Sequence, residues 1–311
     1  MADPREASLP RRWIYAAKPA SWPKLGVPAL LGQAIGGSDG SGFSWAALAL
    51  GAAFTVFDLL FIVFLNDWAD RDVDALKRRM FPRGCSPKTI PDGILPAHSL
   101  LLAGALAGVI ALAIAVAAGW WMDRPWAGPF AILSLGIFAA YTLPPLRLNY
   151  RGGGELLEMI GVGAVLPLMH AYLQAGSLTS VGLSLLPGFV LLGLASAIAS
   201  GLSDERSDRR GGKTTFVSTF GNRIGRRTVE VLTFSGAAIW LLMPGLPWWV
   251  RAVPAGIVFF EGGRMLSVSA SAATDAFSSQ REYKAYLHHA IWRGGTCAAM
   301  MLACWELLKA C

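Results

Sequence analysis

Two short acidic segments hold the residues of this chain that are best suited to chemistry. The first reads NDWADRDVD over residues 66–74. On a helix, Asp67, Asp70 and Asp74 fall within about 60° of one another, whereas Asp72 points away from them. Three carboxylates on one helix face repel one another. A hard divalent cation is therefore the group that we expect to neutralise them.

The second acidic segment reads DERSD over residues 204–208, so that Asp204 and Asp208 are four residues apart on one helix face. Basic residues follow both segments, namely Lys77, Arg78 and Arg79 after the first and Arg209, Arg210 and Lys213 after the second. Mg²⁺ binds through a few carboxylates together with substrate phosphates, and Lys and Arg neutralise the remaining phosphate oxygens. One such segment alone is typical of a solvated helix end, but two of them predict a diphosphate held between them through Mg²⁺.

The elements that must position these segments are hydrophobic helices. Apolar residues make up 54% of the 311-residue chain and charged residues only 15%, with a mean hydropathy of +0.48, whereas a soluble domain carries roughly 25% charge. This composition excludes a disordered chain, and four cysteines in so long a chain give no disulfide framework. The sequence predicts an all-α polytopic membrane protein.

Nine apolar stretches approach the roughly 20 residues that a helix needs to cross the hydrocarbon core. They cover residues 20–37, 45–66, 97–120, 127–144, 155–174, 181–202, 227–244, 247–263 and 287–308. The first acidic segment follows the second stretch, and the second acidic segment follows the sixth. We predict a single domain over residues 1–311 with a short polar arm at 1–18. The polar connections 75–96 and 203–226 are candidate lids over a cavity.

The distribution of basic residues predicts how the chain crosses the membrane. Most of the 27 Lys and Arg residues lie in the N-terminal arm and the even-numbered connections, whereas the odd-numbered connections hold only Arg124 and Arg251. Because positive residues favour the cytoplasmic side, the N-terminus and both acidic segments are expected to face the cytoplasm, as in a bacterial-type inner membrane. The same bias accounts for the net charge of +7 through contact with membrane lipid, so no nucleic-acid partner is predicted.

Taken in order along the chain, these motifs resemble those of the UbiA superfamily of intramembrane prenyltransferases. Residues 66–74 look like the family's first motif, N-D-x-x-D-x-x-x-D, and residues 204–214 look like its second, D-x-x-x-D-x-x-x-G-K-T. The stretch 141–155 is especially similar to the menaquinone-type members, and residues 18–32 are similar to the family's opening helix. The resemblance runs from about residue 13 to residue 225.

This resemblance implies nine transmembrane helices around a central cavity, with cytoplasmic cap loops. It implies Mg²⁺-dependent transfer of an isoprenoid chain from a prenyl diphosphate to an acceptor that is often aromatic. The sequence departs from the family pattern at Ser200, where many members carry Asp or Asn, and at residues 88–91, where KTIP replaces RPIP. These departures bear on the acceptor rather than on the diphosphate.

The resemblance and the charge pattern together give three sets of predicted site residues. The metal-binding set is Asn66, Asp67, Asp70, Asp74, Asp204 and Asp208, with Asp67 in an outer position. The diphosphate-binding set is Lys77, Arg78, Arg79, Arg147, Arg209 and Lys213. The catalytic set is Asp58, Tyr141 and Glu155, of which Tyr141 is expected to line the site and Glu155 to contact it.

Asp58 is singled out by its position inside the apolar run from Phe54 to Leu65, about two helical turns before Asn66. An ionisable residue inside a membrane span is costly and therefore marks a functional site. Its carboxylate is suited to accept a proton or a hydrogen bond from the acceptor. A polar pairing between two helices is the alternative, and the sequence leaves both interpretations open.

Three functions remain open at this stage. The first is a prenyltransferase that acts on an aromatic acceptor, either a quinone precursor or a quinolone-like ring. The second is a membrane terpene cyclase, which would ionise the same diphosphate without a separate acceptor. The third is a lipid-binding or transport protein; transporters usually carry ionisable groups near the membrane midplane, where only Asp58 lies here. The acceptor, the prenyl chain length and the oligomeric state are not fixed by the sequence.

Overall fold

The described part of the chain is helical. A computed structural model describes residues 4–39, 42–82, 84–272 and 277–310, apart from the side chains of 277–279 and 310. Within these residues, pairing between extended segments is limited to one isolated bridge, between Arg151 and Thr214. The predicted all-α fold class is therefore confirmed.

The helices overlap the predicted spans along the whole described chain. In order they are α1 (Leu9–Ala16), α2 (Pro23–Gly37), α3 (Trp45–Ala69), α4 (Arg71–Met80), α5 (Ala97–Trp121), α6 (Ala127–Thr142), α7 (Gly154–Ile160), α8 (Leu166–Ala175), α9 (Leu186–Ser200), α10 (Glu205–Arg210), α11 (Phe216–Leu242), α12 (Trp248–Ser269) and α13 (Phe277–Ala310). A π-helical turn, Gly161–Val165, joins α7 to α8, and a 3-10 turn, Val181–Leu185, leads into α9.

Four helical segments are long and apolar enough to cross a membrane, and they are Trp45–Ala69, Ala97–Trp121, Gly154–Ala175 and Val181–Ser200. The helix Ala127–Thr142 is apolar but shorter. The count of nine crossings stays a prediction. Helices α11 and α13 begin at Phe216 and Phe277, before the predicted crossing stretches at 227 and 287. Gly221 (φ 84°, ψ 163°) interrupts α11 before its apolar part.

The contact between α3 and α5 shows how these helices pack. Gly104 and Gly108 of α5 lie so close to Leu65 and Phe61 of α3 that an added Cβ would come within 2.8 Å of those side chains. Large residues of α5 such as Leu102, which is 67% exposed, face outward instead. Small residues at the helix contact and large apolar residues outside are typical of helices packed in lipid. The chain is an integral membrane protein.

Both acidic segments lie where a long helix gives way to a short one. Helix α3 ends at Ala69, and Asp70 (φ −91°, ψ 5°) separates it from α4, which starts at Arg71. Asp204 (φ −113°, ψ −4°) likewise precedes α10. The short helices α4 and α10 pack against each other. This packing brings two segments that are about 130 residues apart in the sequence to one end of the helix bundle.

Candidate active site

A cavity of about 350 Å³ runs between the helices and reaches both acidic segments. Carboxylates, an amide and an ammonium group line one end of it, and they are Asn66, Asp70, Asp204, Asp208 and Lys213. Apolar and aromatic residues of α2, α3, α6 and α7 line much of the remainder, among them Leu25, Leu59, Ile62, Val63, Ile137, Phe138 and Leu157. The cavity therefore has a polar end and an apolar end.

Two lysines connect the acidic segments in a reciprocal way. Lys77, which follows the first segment, forms an ion pair with Asp204 of the second. Lys213, which follows the second segment, lies with its Nζ 3.0 Å from Oδ2 of Asp70 in the first. The Lys213–Asp70 pair is largely shielded from solvent, so its attraction is screened less than that of a surface pair, whereas the Asp204 side chain is 37% exposed. The two segments are thus direct neighbours across the polar end of the cavity.

The three carboxylates of the first segment do not share one cation, as the single-face prediction required. Asp67 is buried behind the cavity, where it pairs with Lys18 and accepts a hydrogen bond of 2.7 Å from the Thr89 hydroxyl. Asp74 pairs with Lys88 at 2.6 Å. The interruption of the helix at Asp70 separates the three groups, because the residues before and after it belong to different helices. Of these carboxylates, only that of Asp70 lines the cavity.

Asp70 is held by Tyr150 as well as by Lys213. The Tyr150 hydroxyl donates to Oδ1 of Asp70 at 2.9 Å, and burial and the charge of Asp70 raise the pKa of Tyr150. The guanidinium of Arg147 lies 3.7 Å from the centre of the Tyr150 ring and donates to the carbonyl of Ala69 at 2.7 Å. Arg147 therefore braces the end of α3 and Tyr150 from outside the cavity lining.

The two aspartates of the second segment differ in their pKa values. Burial tends to raise the pKa of Asp204, but the ammonium groups of Lys77, Lys284 and Lys88 lower it overall. Burial, and after it the charge of Asp204, raises the pKa of Asp208 to about 7. Among the described residues, Asp208 lies in no ion pair within 4 Å. Among the cavity-lining carboxylates of the two acidic segments, that of Asp208 is thus the one without an ion-pair partner.

Of the six predicted diphosphate-binding residues, five do not line the cavity, and they are Lys77, Arg78, Arg79, Arg147 and Arg209. Arg78 donates to Asp92 at 3.2 Å and to the carbonyl of Pro82 at 2.8 Å, which ties down the connection after α4. Arg79 is exposed. Arg209 is exposed too and pairs with Glu205 at 3.2 Å. Their contact with a diphosphate stays a prediction, and Lys213 is the member of the predicted set that the cavity contains.

The predicted catalytic residues Tyr141, Glu155 and Asp58 all line the cavity. The Tyr141 ring stacks on Phe138, with 5.9 Å between the ring centres. Oε1 of Glu155 accepts a hydrogen bond of 2.7 Å from the backbone N–H of Phe216, the first residue of α11. A carboxylate at a helix N-terminus is stabilising, so Glu155 fixes the start of α11 as well as facing the cavity.

Asp58 lies in the apolar part of the cavity and is 1% exposed. The Ser134 hydroxyl of α6 is 3.4 Å from its Oδ2, a long contact, and Oδ1 has no hydrogen-bond partner. The predicted polar pairing between helices is therefore present, but it satisfies only one of the two carboxyl oxygens.

Several residues of the site were missed from the sequence. Lys18, Lys24 and Glu158 line the cavity, and Lys24 pairs with Glu158 at 2.6 Å. Tyr150 and Lys88 hold carboxylates of the first segment. Tyr150 and Lys18 lay inside the stretches that resemble the family, which was an available signal. The sequence carried no signal for the pairing of Lys24 with Glu158, since 134 residues separate them.

The donor chemistry of the polar end fits Mg²⁺. Asn66, Asp70, Asp204 and Asp208 present oxygen ligands, which Mg²⁺ prefers. Lysine ammonium groups now neutralise Asp70 and Asp204, in the place that a metal cation would take. Within the described residues, no group of three or more Asp, Glu, His or Cys side chains is already arranged around a metal position. Binding a metal would therefore require these lysines to move away.

Comparison with known proteins matches the chain to one family. Residues 25–282 match the UbiA prenyltransferase family. The 2-carboxy-1,4-naphthoquinone phytyltransferase of Synechocystis sp. is 28% identical over 243 residues, which are 74% of this chain and 72% of the relative. The 1,4-dihydroxy-2-naphthoate octaprenyltransferase of Bacillus subtilis is 26% identical over 160 residues, which are 51% of this chain and 47% of the relative.

A solved structure shares the fold. The UbiA homolog from Archaeoglobus fulgidus bound to GPP and Mg²⁺ superposes with a TM-score of 0.67 at 15% identity, and the match covers 90% of this chain and 99% of that chain. At this level of identity the likeness establishes a UbiA-like fold.

Proposed function

Because the chain belongs to the UbiA prenyltransferase family, we propose that it transfers an isoprenoid chain from a prenyl diphosphate to an aromatic acceptor within the membrane. Membership makes it an enzyme of the prenyltransferase class. The observation that carries the specific proposal is the joint placement of Asp70, Asp204, Asp208 and Lys213 at the polar end of an otherwise largely apolar cavity. A diphosphate with a hydrocarbon tail has this same division into a charged and an apolar part.

The polar end would hold Mg²⁺ through Asn66, Asp70, Asp204 and Asp208, with Asp67 and Asp74 behind them. When bound, the metal supplies positive charge that stabilises the departing diphosphate. The chain's own cation at this point is Lys213, whose pKa is raised despite burial, because Asp70 and Asp208 lie beside it. Lys213 therefore stays protonated and is free to exchange its carboxylate partner for a phosphate oxygen.

The donors at the polar end act where charge develops. As the allylic C–O bond breaks, its electron pair leaves with the diphosphate, and Lys213 is placed to neutralise that charge. Each preorganised donor of this kind lowers a barrier by about 3–4 kcal/mol. Tyr150 keeps Asp70 oriented through its 2.9 Å hydrogen bond, so the contact geometry does not depend on the substrate alone.

The apolar end protects the electrophilic carbon. Its lining excludes water, which would otherwise capture a carbon with cationic character. The stacked rings of Phe138 and Tyr141 border the cavity, and an aromatic face attracts a cation by about 0.5–2 kcal/mol. The acceptor ring would approach the allylic carbon from this end.

The identity of the acceptor is proposed from the relatives. Two of them are named for naphthoquinone or dihydroxynaphthoate substrates, which supports a bicyclic quinone-precursor or quinolone-like ring here. The bias of basic residues towards one side supports a cytoplasmic position for the N-terminus and the polar end. Residues 1–311 would then form a single transmembrane domain.

The proposal is tested by incubating the purified protein in detergent or nanodiscs with Mg²⁺ and a panel of prenyl diphosphates and phenolic acceptors. Release of diphosphate together with a prenylated ring, identified by mass spectrometry, is the expected result. A cyclic hydrocarbon formed without an acceptor would identify a terpene cyclase. No diphosphate release with any substrate would refute enzymatic turnover of prenyl diphosphates and favour lipid binding or transport.

A further inference from the structure

We propose that Asp58 is a specificity-determining residue that accepts a hydrogen bond from a ring hydroxyl of the acceptor, deep in the cavity. This inference rests on the proposed prenyltransferase function and adds the chemical group that the acceptor must carry. It follows from three features of the described residues: an orphaned carboxyl oxygen, an apolar lining that offers it nothing else, and the position of Asp58 relative to the acidic segments.

The first feature is the unpartnered oxygen. Asp58 is 1% exposed, yet its side chain lines the cavity, and Oδ1 accepts no hydrogen bond. The other oxygen has only the 3.4 Å contact with Ser134. Leaving a buried polar atom unpaired is costly, and more so for a charged group. A group from outside the protein that donates to Oδ1 would remove that cost.

The second feature is the surroundings. Leu59, Ile62 and Val63 lie on the same helix and line the same cavity, and Leu166 faces them. Among the described residues, no lysine or arginine forms an ion pair with Asp58. An isoprenoid tail has no N–H or O–H group, so a tail placed against Asp58 would leave Oδ1 desolvated and unpaired. A ring with a hydroxyl group satisfies the carboxyl and still fits the apolar walls.

The third feature is the register along α3. Asp58 and Asn66 both line the cavity and are eight residues apart, which is about 12 Å along a helix axis. The allylic carbon would lie just below the diphosphate at the polar end. The remaining distance to Asp58 is suited to an aromatic ring whose far hydroxyl points at the carboxyl and whose near carbon faces the allylic carbon.

Comparing two substrates in two forms of the protein distinguishes acceptor recognition by Asp58 from a merely structural role. Each phenolic acceptor that the panel shows to be alkylated is compared with its O-methyl ether, in wild-type protein and in Asp58→Leu. In the wild type, methylation should lower kcat/KM about tenfold or more, chiefly through KM, because the ether cannot donate to a carboxylate. In Asp58→Leu, kcat/KM for the phenol should fall by the same factor. The ratio of kcat/KM for the phenol to that for the ether should then be about one.

Two further variants make the result specific. Asp58→Asn keeps the size and one acceptor oxygen, and should restore part of the discrimination. Ser134→Ala keeps the carboxyl and removes its internal donor, and should change the phenol-to-ether ratio less than about threefold. The dissociation constant of a non-hydrolysable prenyl diphosphate analogue, measured with Mg²⁺ present, should change less than twofold in Asp58→Leu.

The outcomes separate this inference from the function on which it rests. An unchanged phenol-to-ether ratio in Asp58→Leu overturns the inference while leaving prenyl transfer intact. A panel in which prenyl diphosphates are turned over but no hydroxyl-bearing ring is alkylated overturns it as well. If Asp58→Leu lowers the activity towards phenol and ether by equal factors and weakens the binding of the diphosphate analogue, the residue is structural.

Discussion

The two acidic segments contribute to one cavity, but they are held in very different ways. In the first, each of the three aspartates predicted to share a helix face has its own ammonium partner: Lys18 for Asp67, Lys213 for Asp70 and Lys88 for Asp74. In the second, Lys77 pairs with Asp204, whereas Asp208 lies in no ion pair among the described residues. The facing carboxylates of the first segment are thus balanced by lysines, whereas the second segment leaves the carboxyl of Asp208, whose pKa is raised to about 7, without an ion pair.

This difference indicates a division of labour. Partners of the first segment come from the N-terminal arm, the connection after α4 and the second motif, so many parts of the chain determine its position. The short helix α10 carries Asp208, which has no ion pair among the described residues. We infer that the first segment provides a rigid wall and that the second supplies, in Asp208, the carboxyl group that a metal ion can reach without displacing a lysine.

Removal of the metal should have the largest effect. Chelation of divalent cations should abolish prenyl transfer, and added Mg²⁺ should restore it, because the balanced first segment cannot by itself neutralise a diphosphate. The same titration should raise the thermal unfolding temperature of the wild type. Full activity in excess EDTA would contradict the proposed role of both segments.

Replacement of a cavity-lining carboxylate in either segment should come next. Asp70→Asn and Asp208→Asn should each lower kcat by about a hundredfold to a thousandfold, the loss typical of one preorganised electrostatic contact. Stability should separate the two variants, since Asp70→Asn leaves Lys213 buried without its carboxylate. Asp70→Asn should therefore unfold at a lower temperature than the wild type in EDTA. Equal stability of the two variants would show that the ion pair of Asp70 with Lys213 does not hold the first segment in place.

Asp208→Asn should instead stabilise the metal-free protein in a pH-dependent way. In the folded protein the pKa of Asp208 is raised to about 7, whereas an unfolded carboxyl titrates near about 3.9. The folded state then binds the proton more tightly, so wild-type stability falls as pH rises from about 4 to about 7. The unfolding temperature of the variant relative to the wild type, measured in EDTA, should increase over this range and level off above it.

The reciprocal lysines should show a smaller and unequal effect. Lys213→Met should lower kcat/KM for the prenyl diphosphate about tenfold to a hundredfold, the value of a hydrogen bond to a charged group. Lys77→Met should cost less than about tenfold, because Lys77 lies behind Asp204 and does not line the cavity. Arg210→Met, at an exposed position of the same connection, is the matched control and should stay within about twofold. A larger loss of kcat/KM in Lys77→Met than in Lys213→Met would indicate that Lys77, and not Lys213, contacts the diphosphate.

The turn that carries Lys213 should give the smallest effect. Gly212 has φ +68°, and an added Cβ would meet no atom within 4 Å, so Gly212→Ala introduces backbone strain alone, about 1–2 kcal/mol. Activity should fall by no more than about two- to threefold, because Lys213 loses its alignment. Gly256→Ala lies in α12 with equal space but no positive φ, and should leave activity unchanged.

The sequence predicted which segments form the site better than it predicted the contacts of each side chain. Hydrophobic stretches located the helices, and the spacing of Asp70, Asp204 and Asp208 located the polar end, because both signals are local in the chain. Asp67 and Asp74 were expected to act with Asp70, but the interruption at Asp70 and the partners Lys18 and Lys88 lie beyond what local spacing encodes.

Contacts between residues that are distant in the sequence were the main feature that the sequence did not predict. Glu155 was predicted as a site residue, but its hydrogen bond to the start of α11 depends on how two helices meet in space. Arg78 carried the right charge at the right distance from the first motif, and its guanidinium instead binds its own connection. A charge pattern gives the residues that could reach a substrate, whereas packing decides which of them face it.

The crossed lysine pairs have a consequence for how ligands enter. A metal ion that binds alone has to displace an ammonium group, which then lacks a carboxylate partner. A diphosphate that binds alone is repelled by carboxylates, which are also negatively charged. When the two ligands bind together, the metal ion neutralises the carboxylates and the diphosphate pairs with the displaced ammonium groups. We therefore expect strongly synergistic loading of the two, which would discourage solitary phosphate or magnesium from lodging in the resting protein.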